Sequence, residues 1–190
     1  MKYIIESLNI NIRNARINDI DSIMDIEPEA FGKHHWSKQS FTNEFSNAYS
    51  RYFIAETNTL ESKLIGYIGY WIIQDEGHIT TLAVSPFYKR NHVADILLYT
   101  LITDAILNSI KWLTLEVRVG NIAAIKLYRK YNFKQLGLRK NYYQDNNEDA
   151  LILWTEKIDT DEYKSLLDSN LTSITNPSGT TDKYQYSVRN

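Results

Sequence analysis

Three runs in the middle of the chain limit what it can fold into. Residues 51–56, 64–73 and 78–84 are rich in Ile, Val, Phe, Tyr, Trp and Thr, the side chains that suit a pleated, half-buried surface. Only seven residues (57–63) and then four (74–77) separate them. Connections that short have no room for a crossover helix, so neighbouring strands must run antiparallel, as a meander. The pattern then changes. Past Pro86 the apolar positions Val93, Ile96, Leu97, Thr100, Leu101 and Ala105 recur at helical spacing. Residues 112–118 alternate, with Leu113, Leu115 and Val117 on one face and Trp112, Thr114, Glu116 and Arg118 on the other. Asn121 opens a further helix through Arg129, and 133–140 and 149–157 read as closing strands. Strands first joined by turns and then by helices give an α/β fold with a mixed, mostly antiparallel twisted sheet flanked by helices.

The ends are read the same way. A strand is expected through about Arg16, followed by a helix with Asn18 as N-cap and Ile17 as its hydrophobic staple. Ile20, Ile23, Met24 and Glu27 fall at helical spacing, and Pro28 marks the expected exit. A loop rich in aromatic and basic groups (31–36) precedes a second helix from Ser37, with Phe41 and Phe45 one turn apart. Beyond Thr160 a short helix is expected over 161–170. The Ser-, Thr- and Asn-rich stretch 173–190 reads as an unstructured tail. The expected division is one domain over 1–158 and an appendage over 159–190.

Composition removes several function classes. The 190 residues suffice for one α/β domain with a sizeable core. The absence of cysteine rules out disulfides, thiolate metal sites and a cysteine nucleophile. Histidines 34, 35, 78 and 92 are not spaced as a helical zinc site, so no metal is expected. A net charge of -2 provides no general field for nucleic acid. The N-terminal residues do not read as a secretory leader, and no apolar run is long enough to span a bilayer. The expected compartment is the cytosol, or the plastid stroma for an organellar protein.

Two segments carry candidate chemistry. The strand–loop–helix around 78–98 places a helix N-terminus behind Lys89 and Arg90, an arrangement suited to phosphate oxygens, although an ordinary crossover with two solvated cations reads the same way. Glu116 falls near the end of a strand, and Asn121 and Tyr128 lie nearly two turns apart on one helix face. A carboxylate there can draw a proton from an amine, and a phenol can protonate a leaving thiolate. The same residues also fit a surface charge, a helix cap and a core aromatic.

In sequence order, His78-Ile79-Thr80-Thr81-Leu82-Ala83-Val84, the loop Lys89 to Ala94, Leu115-Glu116-Val117-Arg118, Asn121 to Phe133, Tyr142-Tyr143 and Glu148-Asp149-Ala150 resemble the GNAT superfamily. Within it the chain is similar to the RimI group, the ribosomal-protein-alanine N-acetyltransferases, over about 12–158. The resemblance implies acetyl-CoA as donor. It implies contacts to the pantetheine arm from Leu82, Ala83 and Val84, and to the pyrophosphate from Arg90, Asn91, His92, Val93, Ala94 and Asp95. It implies a cofactor contact from Asn121, Glu116 as general base and Tyr128 as general acid. Trp36, Tyr142 and Tyr143 would flank a groove for the acceptor, the N-terminal amine of a protein such as a small-subunit ribosomal protein beginning with alanine.

One loop departs from the family pattern. His92 stands at the first glycine position, where a backbone closing on phosphate benefits from glycine's freedom. Asp95 adds a negative charge nearby, and Asn91 is the residue that would tolerate a left-handed conformation. Two alternatives therefore stay open: a GNAT enzyme for a small amine, and a GNAT-fold binding module without catalysis.

Overall fold

The computed structural model describes residues 2–5 and 8–175. Its centre is one eight-stranded sheet: β1 (Lys2–Ile5), β2 (Leu8–Asn14), β3 (Ser50–Thr57), β4 (Leu64–Ile73), β5 (Glu76–Val84), β6 (Trp112–Arg118), β7 (Lys134–Tyr143) and β8 (Glu148–Trp154). They lie side by side in the order β1-β2-β3-β4-β5-β6-β8-β7. Every neighbouring pair is antiparallel except β5 and β6. The meander β3-β4-β5 thus forms as its short turns require. The start of the chain differs from the expected single strand, since β1 and β2 pair antiparallel with each other.

Alternation along the strands builds a core on each face. Phe53 and Ala55 point to one side, where α3 (Val93–Leu107), α4 (Ile122–Lys130) and α5 (Asp161–Thr175) pack. Tyr52 and Ile54 point to the other, against α1 (Ile20–Phe31) and α2 (Lys38–Ser46). α3 buries Leu98 and Ile102 beyond its expected stripe because it lies between the sheet and α5.

Three helix boundaries differ from expectation. Asn18 is not an N-cap: residues 17–19 form a 3-10 turn, closed by Asp19, whose Oδ2 accepts the Arg16 N–H at 2.6 Å. α1 does not stop at Pro28 but continues to Phe31. Pro28 forfeits one main-chain N–H without ending α1, and the helix ends at Gly32, whose positive φ of 60° and N–H to the Pro28 carbonyl close it. α5 runs five residues past the expected end and is docked, with Tyr163, Leu167, Leu171 and Ile174 buried. The expected tail therefore begins inside a helix, and its remainder, 176–190, lies outside the described residues. No helix among the described residues is long and apolar enough to cross a membrane.

Candidate active site

β5 and β6 run parallel but share a register only from Glu76 to His78 against Trp112 to Thr114. Beyond that point they part. A bulge helps: Gly69 pairs Thr81 and Tyr70 pairs Ile79, which leaves Thr80 as an extra residue that bends β5. Between the separated strand ends lies a cavity of about 590 Å³, with Ile79 to Leu82 on one strand and Leu115 to Arg118 on the other. Parallel strands that part at their C-terminal ends create a ligand crevice of this kind.

The structure brings Leu82, Glu116, Asn121, Tyr128, Trp36 and Tyr143 to this cavity. Arg139 on β7 lies 3.1 Å from Glu116 Oε1. Asn121 caps α4 with Oδ1, which accepts the Ala124 N–H. Tyr128 is buried against Phe133, with ring centroids 5.5 Å apart. Burial, and then the neighbouring Tyr143 phenol, raise its pKa, so it remains protonated through the neutral range. No hydrogen bond fixes its hydroxyl among the described residues. Burial pushes Tyr143 up to about 12, although the Arg118 guanidinium 3.8 Å from its ring opposes this.

Other expected residues are not in the cavity wall. Ala83 and Val93 are buried in the core, so only their main chain is available to a ligand. Val84 packs against the core beneath α3. Tyr142 stands edge-on to Tyr143, 42% exposed and outside the wall. The loop from Arg90 to Asp95 lies apart, at the start of α3. There Arg90 and His92, not Asn91, take the left-handed conformation, with φ of 65° and 54°. Asp95 does not face the loop as a bare charge: Lys130 Nζ lies 2.6 Å from its Oδ1, and His92 Nδ1 is 3.3 Å from Oδ2.

The sequence reading missed three features. Glu27 on α1 lines the cavity while only 1% exposed. Its Oε1 accepts the Trp36 N–H at 2.8 Å, and burial raises its pKa to about 7. Its signal was a carboxylate in line with Ile20 and Ile23. The second feature is a bridge between loops, in which His34 Nε2 lies 3.1 Å from Asp145 Oδ2. The third is Arg118, which donates to both oxygens of Asp145 at 3.0 Å and to Glu148 at 3.1 Å. The Gly120 N–H and Arg118 hold Glu148 below the ordinary carboxylate range. The partners of Arg118 and His34 come from distant segments and had no local pattern. Among the described residues no group of side chains is placed to hold a metal ion.

Comparison with known proteins bears on the family and the fold. The sequence profile of the acetyltransferase (GNAT) family matches residues 19–133. A Bacillus subtilis (strain 168) protein, named provisionally as a [ribosomal protein bS18]-alanine N-acetyltransferase, is 39% identical over 144 residues, covering 75% of this chain and 93% of its own. The Escherichia coli (strain K12) [ribosomal protein bS18]-alanine N-acetyltransferase is 30% identical over 144 residues, covering 75% and 94%. A crystal structure of the ribosomal-protein-S18-alanine N-acetyltransferase from Escherichia coli superposes with a TM-score of 0.70 at 29% identity, covering 77% of this chain and 93% of that one.

Proposed function

The chain belongs to the acetyltransferase (GNAT) family, and from that premise we propose that it transfers the acetyl group of acetyl-CoA to the α-amino group of a protein, a ribosomal protein beginning with alanine. One observation carries the reading. The cavity between β5 and β6 gathers a carboxylate, an amide and a protonated phenol beside Trp36 and Tyr143, aromatics suited to an extended peptide. The relatives whose names specify a bS18-alanine acceptor support the choice of substrate.

The residues present fit the donor. Past His78, β5 loses its β6 partner, so main-chain groups of 79–84 are open to an amide-bearing arm. The first-turn N–H groups of α3 suit phosphate oxygens, with Arg90 beside them and Asp95 neutralised by Lys130. When bound, acetyl-CoA supplies a thioester carbonyl open to attack by an amine.

Glu116, oriented by Arg139, accepts a proton from the acceptor's ammonium, directly or through water. An α-ammonium with a pKa of about 8 loses that proton at small cost near neutral pH. A main-chain N–H of the 82–84 segment donates to the oxygen that gains charge during attack. Tyr128, protonated at the outset, gives its proton to the departing sulfur. The residues given roles on this reading all lie within 1–158, with α5 docked on the same core, and the cytosol is the chain's place of work.

The test is mass spectrometry on peptides that differ in their first residue. The expected result is a single acetyl group on the N-terminus of an Ala-first peptide, slowed about 10²-fold or more in Glu116→Gln. Transfer to small amines with none to any peptide would replace this reading with the small-amine one.

A further inference from the structure

Glu27 is an expensive residue to keep where it is. It stands on the inner face of α1 with Ile20, Ile23 and Ile26, in an otherwise apolar cluster. Its Oε1 is used by the Trp36 N–H, but its Oε2 is buried without a hydrogen-bond partner. Tyr67, on the strand against which α1 packs, carries the other buried polar atom without a partner among the described residues. A buried carboxyl oxygen left without a partner is destabilising and calls for an explanation. A Gln would accept the same Trp36 bond without that risk of charge, so hydrogen bonding to the loop does not explain the residue.

The charges around it do not explain it either. His35 follows α1 and favours ionisation, but it is outweighed by burial. On the strand side Tyr52 stays protonated, its hydroxyl donating to Glu44. Across the cavity the cations already have anions: Arg118 holds Asp145 and Glu148, Arg139 holds Glu116, and His34 meets Asp145. Among the described residues, Glu27 alone lines the cavity as a carboxyl without an ion pair, His35 acting on it only at longer range.

We propose that Glu27 is the counter-ion of the acceptor's ammonium. The proposal deepens the reading above and rests on it. An ammonium brings three N–H donors and a full charge, which supply what the orphan oxygen lacks. Arrival of the cation favours the carboxylate, so Glu27 gives its proton to solvent as the amine binds. Glu116 then stays free to take the proton that makes the amine a nucleophile. The step balances: the proton that Glu27 still holds, about half of one at pH 7, leaves on binding and returns when the neutral amide product departs.

Isothermal titration reads this directly. CoA-loaded protein is titrated at pH 7 with an Ala-first peptide in buffers of different ionisation enthalpy, with the Nα-acetylated peptide as control. Release of about half a proton is expected, because the carboxyl sits near pH 7 when empty. Glu27→Gln should release none and bind the free-amine peptide about tenfold or more weakly, with CoA affinity unchanged. Infrared difference spectra of the wild-type protein give a second readout, independent of the variant's folding, in which the protonated-carboxyl band disappears on adding the peptide. Binding with equal proton release in both proteins, or a wild-type band that does not change, overturns the inference. If no peptide binds but ethylamine still releases a proton that Glu27→Gln does not, the peptide reading falls and the counter-ion stands. If neither amine moves a proton, both fall.

Discussion

Glu27→Gln should change how stability depends on pH, before any substrate is added. An ordinary glutamate carboxyl titrates at 4.5, whereas burial places Glu27 at about 7. The folded protein therefore holds this proton more tightly than the unfolded chain. That contribution is fully present below about pH 4.5 and is lost as pH rises through about 7. At about 1.36 kcal/mol per tenfold change in proton affinity, ionising the buried carboxyl costs roughly 3 kcal/mol by pH 8. Glutamine carries no such proton. It keeps an oxygen for the Trp36 N–H, and any penalty from its buried amide is the same at every pH. Urea unfolding of both proteins at pH 5 and pH 8 isolates the effect as a difference of differences. The variant should gain about 2–3 kcal/mol on the wild type between the two pH values, or about 6 °C in Tm for a chain of this size. Parallel pH dependence in the two proteins would show that Glu27 ionises like a surface carboxylate, and the argument from its burial would fail.

Tyr128→Phe should lower kcat by about 10²-fold while leaving Tm nearly unchanged, because only an unbonded hydroxyl is removed; a stopped-flow rate equal to wild type would end its role as acid. His92→Gly should raise Tm and tighten CoA binding in calorimetry. It relieves a left-handed residue worth about 1 kcal/mol, and weaker binding would instead assign the imidazole a phosphate contact. Leu167→Ala should cost about 2–5 kcal/mol in urea unfolding, a loss that an undocked appendage would not show.

Much of the fold was legible because the decisive signals were local. The β3-β4-β5 meander follows from turn length, and Ser37 and Asn121 cap their helices as their side-chain types suggest. Where a strong local signal misled, a stronger one lay nearby. Pro28 drew attention as a breaker while Gly32, four residues on, ends the helix. Composition hid the end of α5 and its docking, because polar residues mask Tyr163, Leu167, Leu171 and Ile174 at spacings of four, four and three. In the site, strand end and helix face were enough to place Glu116, Asn121 and Tyr128 near one another, as the cavity lining has them, while their roles rest on the family resemblance. Arg139, His34 and Asp145 were not, since each meets its partner across the sheet's connections rather than along the chain.

The unusual cofactor loop is best understood together with the helix that presents Tyr128. Two residues beyond that phenol, Lys130 extends to Asp95 at 2.6 Å, and the hydroxyl of Tyr131 donates to the Asp95 carbonyl at 3.0 Å. The negative charge that argued against phosphate binding is thus compensated by the end of α4. α5 secures the same place: Tyr163 donates its hydroxyl to the Tyr131 carbonyl at 2.7 Å, and Asn170 donates to the Lys130 carbonyl at 3.0 Å. These are the carbonyls a helix leaves unsatisfied at its C-terminus. His92 meanwhile adopts the left-handed geometry that glycine would take freely, at a strain of about 1 kcal/mol. A module that had abandoned its cofactor would have no reason to hold the strained residue, the neutralising lysine and the brace in one connected set. The departures at His92 and Asp95 are compensated in place, which favours a working loop over a degenerate one.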